Sequence, residues 1–203
     1  GLPNQDWAAL STTLEHTLSL SPDRVSLFGY AHVPWMAKRQ KMIKAEALPG
    51  PEARFELAQN AATQIMAAGL QPIGIDHFAK PDDSLSLARD AGTLRRNFQG
   101  YTDDVAPSLI GLGASSISRL PGGYVQNEQV TARYNAAITA GRLPAARGVA
   151  LGLEDKIRAR AIEMLMCDFV VSLPDLRAAY GDFVNALIAN AELAARRFKG
   201  FCT

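Results

Sequence analysis

The sequence has few cysteines, no long apolar run and no recognisable targeting segment. Among its 203 residues only Cys167 and Cys202 are cysteines, and they lie far apart in the chain. This spacing excludes a disulfide framework and is typical of a protein from a reducing compartment. No stretch approaches the roughly 20 apolar residues that cross a bilayer, and no signal peptide is evident. We therefore expect a cytoplasmic protein without a membrane span.

The sequence also lacks a cluster of charge of one sign. The chain has 21 Lys and Arg residues against 20 Asp and Glu residues, which gives a net charge of +1, and these charges are dispersed. A nucleic-acid-binding protein usually carries a basic face or run, so we expect no nucleic-acid partner. Hydrophobic residues make up 48% of the sequence, which supports a sizeable core and argues against extensive disorder.

The first part of the chain shows an alternation of helix and strand patterns. A helix is predicted after Asp6, an N-cap residue, because apolar residues recur there at three- and four-residue spacing. Residues 25–30 and 72–76 are predicted as short buried strands, and residues 52–68 as a helix between them. A strand, a helical connection and a second strand are typical of a parallel sheet. A further helix and strand are predicted at 83–91 and 108–113.

The pattern changes after the Pro-Gly-Gly sequence at 121–123. Helical patterns predominate from there, with one brief strand-like segment at 148–151. We place a domain boundary near Tyr124, which gives domains over residues 1–124 and 125–203. The predicted fold class is α/β, with part of a parallel (β/α) barrel followed by a mainly helical segment. The predicted helices of that segment lie at 128–140, 154–166 and 182–197.

Polar residues follow the two predicted strands of the first domain at matching places. Tyr30, Ala31 and His32 end the first strand, and Asp76 and His77 end the second. Binding and catalytic groups of α/β barrels lie at the carboxyl ends of the strands, so we expect these residues to line one candidate site. Each histidine can equally be a hydrogen-bonded partner at the end of a sheet, and both interpretations stay open.

A polar and aromatic turn, Asn-Phe-Gln-Gly-Tyr-Thr at 97–102, is not needed to build a core. One interpretation is a surface loop anchored by Phe98. The other is a lid, in which Gln99 holds a polar cofactor and Phe98 excludes water. Gly111 and Gly113 lack the third glycine and the long helix of a dinucleotide fingerprint, so we reject that motif. Their small size suits the close approach of a bulky ligand.

Basic residues recur in the predicted loops on what should be one side of the sheet. Most exposed Lys and Arg side chains are only solvated surface. A substrate with several carboxylates would need a few of them, and the planar fork of arginine binds a carboxylate through two parallel hydrogen bonds. The candidates are Lys38, Arg39, Lys41, Lys44, Lys80, Arg95 and Arg96.

Several of these motifs occur together, in this order, in one enzyme family. Tyr-Ala-His at 30–32, Asp-His-Phe-Ala at 76–79 and Asn-Phe-Gln-Gly-Tyr-Thr at 97–102 closely resemble the oxygen-independent coproporphyrinogen III oxidases of haem and porphyrin biosynthesis. The Gly-x-Ser-x-Ile-Ser sequence at 113–118 agrees with them. These oxidoreductases use radical S-adenosylmethionine (SAM) chemistry on a radical-SAM barrel. The resemblance implies oxidative decarboxylation of two propionates of coproporphyrinogen III to vinyl groups, which gives protoporphyrinogen IX.

The resemblance also implies ligands and residue roles. The cofactors would be S-adenosyl-L-methionine and a [4Fe–4S] cluster, the substrate coproporphyrinogen III, and a further partner a reductant or electron-transfer protein. Ala31 and Ile117 correspond to family positions that line a second SAM site. Phe98 and Gln99 fall at catalytic positions near the active centre. Against this pattern, the cluster signature Cys-x3-Cys-x2-Cys of the family is absent from the chain.

That absence implies a C-terminal fragment whose cluster ligands lie upstream, so we assign no metal ligand to this chain. The fragment alone is expected to be inactive, and the open edge beside residues 25–30 is expected to favour self-association. Two alternatives remain. One is a related radical-SAM haem chaperone, which shares the barrel but lacks the turn at 97–102. The other is a non-catalytic module that binds a porphyrin or a partner.

Overall fold

The structure is a computed structural model that describes residues 1–197 of the chain. Contacts divide the chain into two units, the first comprising Gly1–Asp103 with Met166–Asp168. The second comprises Asp104–Leu165 and the described residues from Phe169 onward. No helix among the described residues is long and apolar enough to cross a membrane. Cys202 lies outside the described residues.

The α-helices of the first unit begin where the sequence places caps or a proline. Helix α1 spans Trp7–Ser19, α2 spans Pro51–Ala67 and α3 spans Ser84–Asp90. At the start of α1 the Asp6 carboxylate accepts a hydrogen bond from the Ala9 amide at 2.9 Å. This bond satisfies one of the amides that the first turn leaves without a helical partner. The predicted cap and all three helices are therefore confirmed.

Three short strands form the sheet of the first unit. They are β1 (Arg24–Ser26), β2 (Gln71–Ile73) and β3 (His77–Ala79), in the spatial order β1–β3–β2. Strand β3 pairs antiparallel with both neighbours, and Phe78 lies opposite Val25 of β1. Strand β1 is thus an edge of the described sheet, as expected, whereas self-association through that edge stays a prediction.

The antiparallel pairing corrects the parallel arrangement expected from the sequence. Strands β1 and β2 do run in the same direction, but β3 lies between them. Ile73 pairs with His77 across a turn of three residues, and so short a connection can join only antiparallel neighbours. The interpretation of 72–76 as one strand missed this turn, in which Gly74 has a φ of 59°. All strand pairs among residues 1–197 are antiparallel, although the α/β class itself is confirmed.

A separate hairpin carries the polar and aromatic turn. Strand β4 (Arg95–Asn97) pairs antiparallel with β5 (Gly100–Thr102), and the turn between them consists of Phe98 and Gln99. A two-stranded hairpin is marginally stable in water by itself. Its position therefore depends on the side chains that attach it to the rest of the first unit.

Two clusters of buried apolar side chains stabilise the first unit. One joins α1 and α2 to β3, and the other joins α3 to β2, β3 and the hairpin. Burial removes this apolar surface from water, which is the main favourable contribution to folding. The first cluster contains Leu14, Ala61, Ile65, Leu70 and Phe78. The second contains Ile73, Ala79, Leu85, Ala88, Leu94, Tyr101 and Cys167.

The second unit combines an antiparallel sheet with helices. Strands β6 (Ile117–Leu120), β7 (Gly123–Asn127) and β8 (Ala145–Ala150) pair in that order. The predicted strand at 108–113 is reduced to a single bridge between Leu109 and Arg119. The helices are α4 (Thr131–Thr139), α5 (Leu153–Asp168), α6 (Leu173–Tyr180) and α7 (Asn185–Arg197). A buried cluster among them contains Ile157, Ala161, Met164, Leu176, Val184 and Ile188.

The two units of the structure do not meet at the domain boundary that the sequence predicted near Tyr124. The main segment of the first unit ends at Asp103, and the second unit begins at Asp104. Tyr124 lies in β7, the central strand of the second sheet, where it pairs with Arg119 and Val149. A domain boundary there would cut the sheet through its middle strand. In the Pro-Gly-Gly sequence that suggested the boundary, Pro121 and Gly122 connect β6 to β7, and Gly123 is the first residue of β7.

Asp83 joins helix α3 to strand β1 through its two carboxylate oxygens. Oδ1 accepts a hydrogen bond from the Leu85 amide at 2.8 Å, and Oδ2 accepts one from Arg24 Nε at 2.8 Å. Burial raises the pKa of Asp83, but the bonds from Arg24 and the Leu85 amide outweigh burial, so this pKa lies below its ordinary value. The carboxylate therefore stabilises the fold in its ionised form.

We expect Asp83→Ala to lower the free energy of unfolding by about 1 kcal/mol at neutral pH, because α3 loses its N-cap. Since the folded-state pKa is lowered, the contribution of Asp83 is present above the unfolded pKa of about 3.9 and is lost as pH falls through the folded-state value. Urea unfolding at neutral pH and near pH ~3 measures both effects. Asp83→Asn keeps the cap without the charge, so an equal loss in both variants at neutral pH would contradict the capping role.

Candidate functional site

The candidate site residues of the first unit lie on three segments. Tyr30, Ala31 and His32 follow β1, Asp76 and His77 span the turn into β3, and the hairpin turn supplies the remaining pair, Phe98 and Gln99. Ile117 begins β6 and belongs to the second unit.

Asp76 and His77 form a hydrogen-bonded pair at the start of β3. His77 Nδ1 lies 2.7 Å from Asp76 Oδ1, and the two side chains are 15% and 24% exposed. The carboxylate is an acceptor, so the pairing places a proton on Nδ1. The Asp76 carbonyl also accepts a hydrogen bond from the Leu27 amide at 2.8 Å, which ties the turn to the end of β1.

The imidazole of His77 is packed between two aromatic rings. Its centroid lies 5.6 Å from that of Phe28, at 82°, and 5.1 Å from that of Tyr101, at 80°. These edge-to-face arrangements match the charge distribution of aromatic rings. A Cβ at Gly100 would lie 3.2 Å from Nε2, so the hairpin backbone closes around the remaining nitrogen. The sequence interpretation identified His77 but not its partners Phe28 and Tyr101.

Tyr101 attaches the hairpin to the turn between β2 and β3 through hydrogen bonds of its hydroxyl. Its hydroxyl accepts a hydrogen bond from the Ile75 amide at 3.1 Å and donates one to the Met166 carbonyl at 2.9 Å. Burial raises the pKa of Tyr101, so the phenol stays neutral and keeps its proton for donation. The Arg96 guanidinium carbon lies 5.5 Å from the centroid of the same ring, which is a cation–π distance.

The Phe98–Gln99 turn is shaped by its own sequence. The Gln99 amide donates to Asn97 Oδ1 at 2.8 Å, a local bond that asparagine commonly forms in turns. The Gln99 side chain is exposed, and Phe98 is 42% exposed. The turn presents these two side chains outward, while the residues that follow, Gly100 and Tyr101, contact His77. The structure thus brings the turn beside the Asp76–His77 pair.

The segment after β1 carries two buried polar atoms for which residues 1–197 supply no hydrogen-bond partner. The rings of Tyr30 and His32 lie 6.1 Å apart. Within residues 1–197 neither Tyr30 Oη nor His32 Nδ1 has a hydrogen-bond partner, although both atoms are shielded from solvent. Buried polar groups are nearly always bonded in native proteins, and leaving one without a bond costs about 1–3 kcal/mol. These atoms are therefore suited to a polar ligand.

The backbone of this segment is held in place by side chains from nearby loops and helices. Gln40 Nε2 donates to the Ala31 carbonyl at 3.0 Å, and Gln40 Oε1 accepts from the Val33 amide at 2.6 Å. Arg54 of α2 donates to the Tyr30 carbonyl at 2.9 Å. The position of Ala31 is thus determined by backbone contacts rather than by its own methyl group. No periodic pattern in the sequence predicts the roles of Gln40 and Arg54.

Ile117 packs against the glycine segment that precedes β6. A Cβ at Gly111 would lie 2.8 Å from the Ile117 carbonyl oxygen, so the glycine is required by contact with the chain itself. The side chain of Asn127 donates to the carbonyls of Gly111 and Gly113, each at 3.0 Å. In the described residues, the small size of Gly111 therefore lets its backbone lie close to the backbone of Ile117.

The basic candidates do not form one cluster with a single role. Lys80 Nζ pairs with Asp23 Oδ1 at 2.7 Å, which neutralises it. Arg95 and Arg96 lie in β4 and are half-buried. The remaining four are exposed and lie in or next to a short 3₁₀ helix, Lys38–Met42, that follows the Tyr30–His32 segment. These four are Lys38, Arg39, Lys41 and Lys44.

The chain offers no set of residues for an iron–sulfur cluster. Such a cluster is held by several cysteine thiolates, whereas this sequence has two cysteines far apart. Among the described residues, no three His, Cys, Asp or Glu side chains group as metal ligands.

The fold of the chain is similar to that of a radical SAM enzyme. Over 98% of its length the chain matches the coproporphyrinogen III oxidase of Escherichia coli, a radical SAM enzyme, with a TM-score of 0.87 and 35% sequence identity. The match covers 46% of that enzyme. No family model matches the chain. The expected α/β fold class is confirmed as part of a radical SAM enzyme fold.

Sequence relatives then indicate the particular family. All 203 residues align at 52% identity with an oxygen-independent coproporphyrinogen III oxidase of Cereibacter sphaeroides, covering 45% of it. Over 181 residues, 89% of the chain, the identity to the enzyme of the same name from Paracoccus denitrificans is 54%, covering 40% of that protein. The chain thus spans less than half the length of these relatives. Its resemblance to oxygen-independent coproporphyrinogen III oxidases is confirmed, and it corresponds to one segment of such a protein.

Proposed function

We propose that the full-length protein containing this chain is an oxygen-independent coproporphyrinogen III oxidase, an oxidoreductase of porphyrin biosynthesis. It would decarboxylate two propionates of coproporphyrinogen III to vinyl groups. The observation that carries the proposal is the 52% identity along all 203 residues to a protein of that name. The match of 35% identity and TM-score 0.87 to a radical SAM enzyme supports the same reaction class.

SAM is the cofactor that fits residues of this chain. Tyr30 Oη and His32 Nδ1 are buried without a partner in the described residues, and they flank Ala31, a proposed contact of a second SAM. A molecule with amino, carboxylate and ribose groups could bond to both atoms. Ile117, in the second unit, is a proposed SAM contact on the family resemblance alone. When bound, SAM supplies radical chemistry, while the protein binds it, orients it and excludes water.

Phe98 and Gln99 are proposed to act beside the reacting groups. Both side chains are exposed at a turn whose backbone is bonded to Asn97 and attached to the Asp76–His77 pair through Gly100. An amide can hold a polar ligand by donating and accepting at once, and a phenyl ring excludes water. Such positioning of reactants is a large part of enzymatic rate enhancement.

The four exposed cations after the Tyr30–His32 segment are proposed to attract the propionates of the substrate. Lys38, Arg39, Lys41 and Lys44 lie within seven positions of one another, and Gln40 among them bonds to the Ala31 carbonyl. Positive charge near a site steers an anionic substrate towards it. The electrons for the reaction would come from a reductant or an electron-transfer protein, and we propose a cytoplasmic location for the enzyme.

The test is an anaerobic assay of the full-length protein with coproporphyrinogen III, SAM and a reductant. We expect protoporphyrinogen IX to form with SAM and not without it, whereas the 203-residue chain alone should form none. Haem binding without product would instead favour a radical-SAM haem chaperone. Porphyrin binding that needs neither SAM nor a reductant would favour a non-catalytic module. Either outcome would refute the proposed activity.

A further inference from the structure

The imidazole of His77 packs between Phe28, which precedes the Tyr30–His32 segment, and the hairpin that carries the Phe98–Gln99 turn. On one side it meets Phe28, two positions before Tyr30, with ring centroids 5.6 Å apart. On the other side it meets the hairpin, through Tyr101 at 5.1 Å and through the space beside Gly100. The ring therefore fills the place where the Tyr30–His32 segment and the Phe98–Gln99 turn approach the start of β3.

We propose that the Asp76–His77 pair is a positioning device that fixes the Phe98–Gln99 turn relative to the Tyr30–His32 segment. The inference rests on the proposed function for its catalytic consequence, although its structural part does not. Asp76 Oδ1 holds His77 Nδ1 at 2.7 Å, and this bond sets the angle of the ring. Both edge-to-face contacts, at 82° and 80°, require that angle.

The hairpin needs such a device because it is small. Its strands have three residues each, and an isolated two-stranded hairpin of this kind is barely stable. Tyr101 attaches the β5 strand by its hydroxyl bonds to Ile75 and Met166. His77 supports the end of the hairpin nearest the turn, since Gly100 directly follows Gln99. Without that support the turn would keep its local Asn97 bond but lose its fixed place.

The position of Gly100 agrees with this role. Its φ of 142° is one that residues with a side chain rarely adopt, and a Cβ there would lie 3.2 Å from His77 Nε2, tighter than nine in ten real contacts of a Cβ. The hairpin backbone therefore lies close beside the imidazole. The His77 side chain is 15% exposed, so its ring lies at the edge of the buried core and not fully inside it.

The first arm of the test measures amide hydrogen exchange in the full-length protein. We expect Asp76→Ala to speed exchange in the peptide covering 95–102 by about tenfold relative to the α1 peptide, because the ring is no longer oriented. Asp76→Asn keeps an oxygen acceptor for Nδ1–H and should restore most of the protection. His77→Phe keeps a ring but loses the bond, so it should resemble Asp76→Ala. Gln59→Ala, at an exposed position of α2 outside both peptides, is the control.

The ratio of the exchange rates of the two peptides separates a local effect at the hairpin from a general loss of stability. Unchanged exchange at 95–102 in both Asp76→Ala and His77→Phe would overturn the proposal. Equally fast exchange at 95–102 in Asp76→Ala and Asp76→Asn would also overturn it. The proposal requires the acceptor oxygen, which asparagine keeps and alanine lacks. These readouts do not require turnover, so they stand even if the proposed oxidase activity fails.

The second arm measures steady-state kinetics of the same variants with SAM and coproporphyrinogen III. A turn held in the wrong place disturbs the reacting geometry more than substrate capture, so we expect kcat to fall about tenfold in Asp76→Ala with a KM change below about threefold. Asp76→Asn should recover most of kcat. A wild-type kcat in Asp76→Ala together with faster exchange at 95–102 would overturn the catalytic part. Absence of turnover in the wild-type protein would refute the proposed function instead.

Discussion

Replacing Gly74 by alanine is expected to lower the free energy of unfolding by about 3 kcal/mol, from backbone strain and overpacking together. The φ of Gly74 is 59°, in the left-handed region that alanine disfavours. An added Cβ would also lie 2.0 Å from Cζ of the buried Tyr101 ring. The turn cannot open to relieve this overlap without losing the bond from the Ile75 amide to the Tyr101 hydroxyl.

Gly92→Ala is the matched control for this prediction. Gly92 follows α3 with a φ of 65°, but no atom lies within 4 Å of the position of its Cβ. Only the backbone strain applies there, so we expect a loss of about 1 kcal/mol in urea unfolding. In a Tyr101→Leu background the additional cost of Gly74→Ala should shrink, because the ring that it meets is gone. Equal losses for the two glycine variants would contradict the packing argument.

Replacing Gln99 by alanine in the full-length protein is expected to reduce protoporphyrinogen formation roughly 100-fold, as the loss of a well-placed hydrogen-bonding group does in other enzymes. Folding stability should change by less than about 0.5 kcal/mol, because the side chain is exposed and forms no hydrogen bond within residues 1–197. The Gln99 backbone amide is bonded to Asn97 Oδ1, and alanine keeps that amide. Anaerobic turnover and urea unfolding on the same preparation separate the two effects.

Gln59→Ala provides the comparison for Gln99→Ala. Gln59 is an exposed glutamine on α2, and its substitution removes the same chemical group away from the candidate site. We expect turnover in that variant to stay near the wild-type rate. Wild-type turnover in Gln99→Ala would refute the catalytic role. A loss of stability as large as the loss of activity would show that the turn acts through folding.

Elements with strong local signals were predictable from the sequence. Helix α1 follows Asp6 because a capping carboxylate and an apolar stripe both indicate a helix there, and helix α2 begins at Pro51 after Gly50. Strand β3 was missed because its three residues carry no clear alternation of apolar and polar side chains. Its existence follows from the turn at Gly74, whose conformation depends on the Tyr101 ring.

The candidate site also contains residues that the sequence identified and residues that it did not. His77 and the Phe98–Gln99 turn stood out in the sequence as polar or aromatic residues that core building does not require. The partners that position them did not, because Phe28, Gln40 and Tyr101 are distant in sequence and each has an ordinary structural interpretation. Contacts of this kind are decided by the folded chain and not by local periodicity.

The sequence by itself determined the α/β class, the first helices with their caps, and the motifs that indicate one enzyme family. It could do so because caps, helix stripes and short motifs act over a few neighbouring residues. Only the tertiary structure decided that β3 returns antiparallel between β1 and β2, and that His77 meets both Phe28 and the hairpin. Those outcomes depend on how side chains that are distant in the sequence pack against one another, and local sequence patterns do not show that packing.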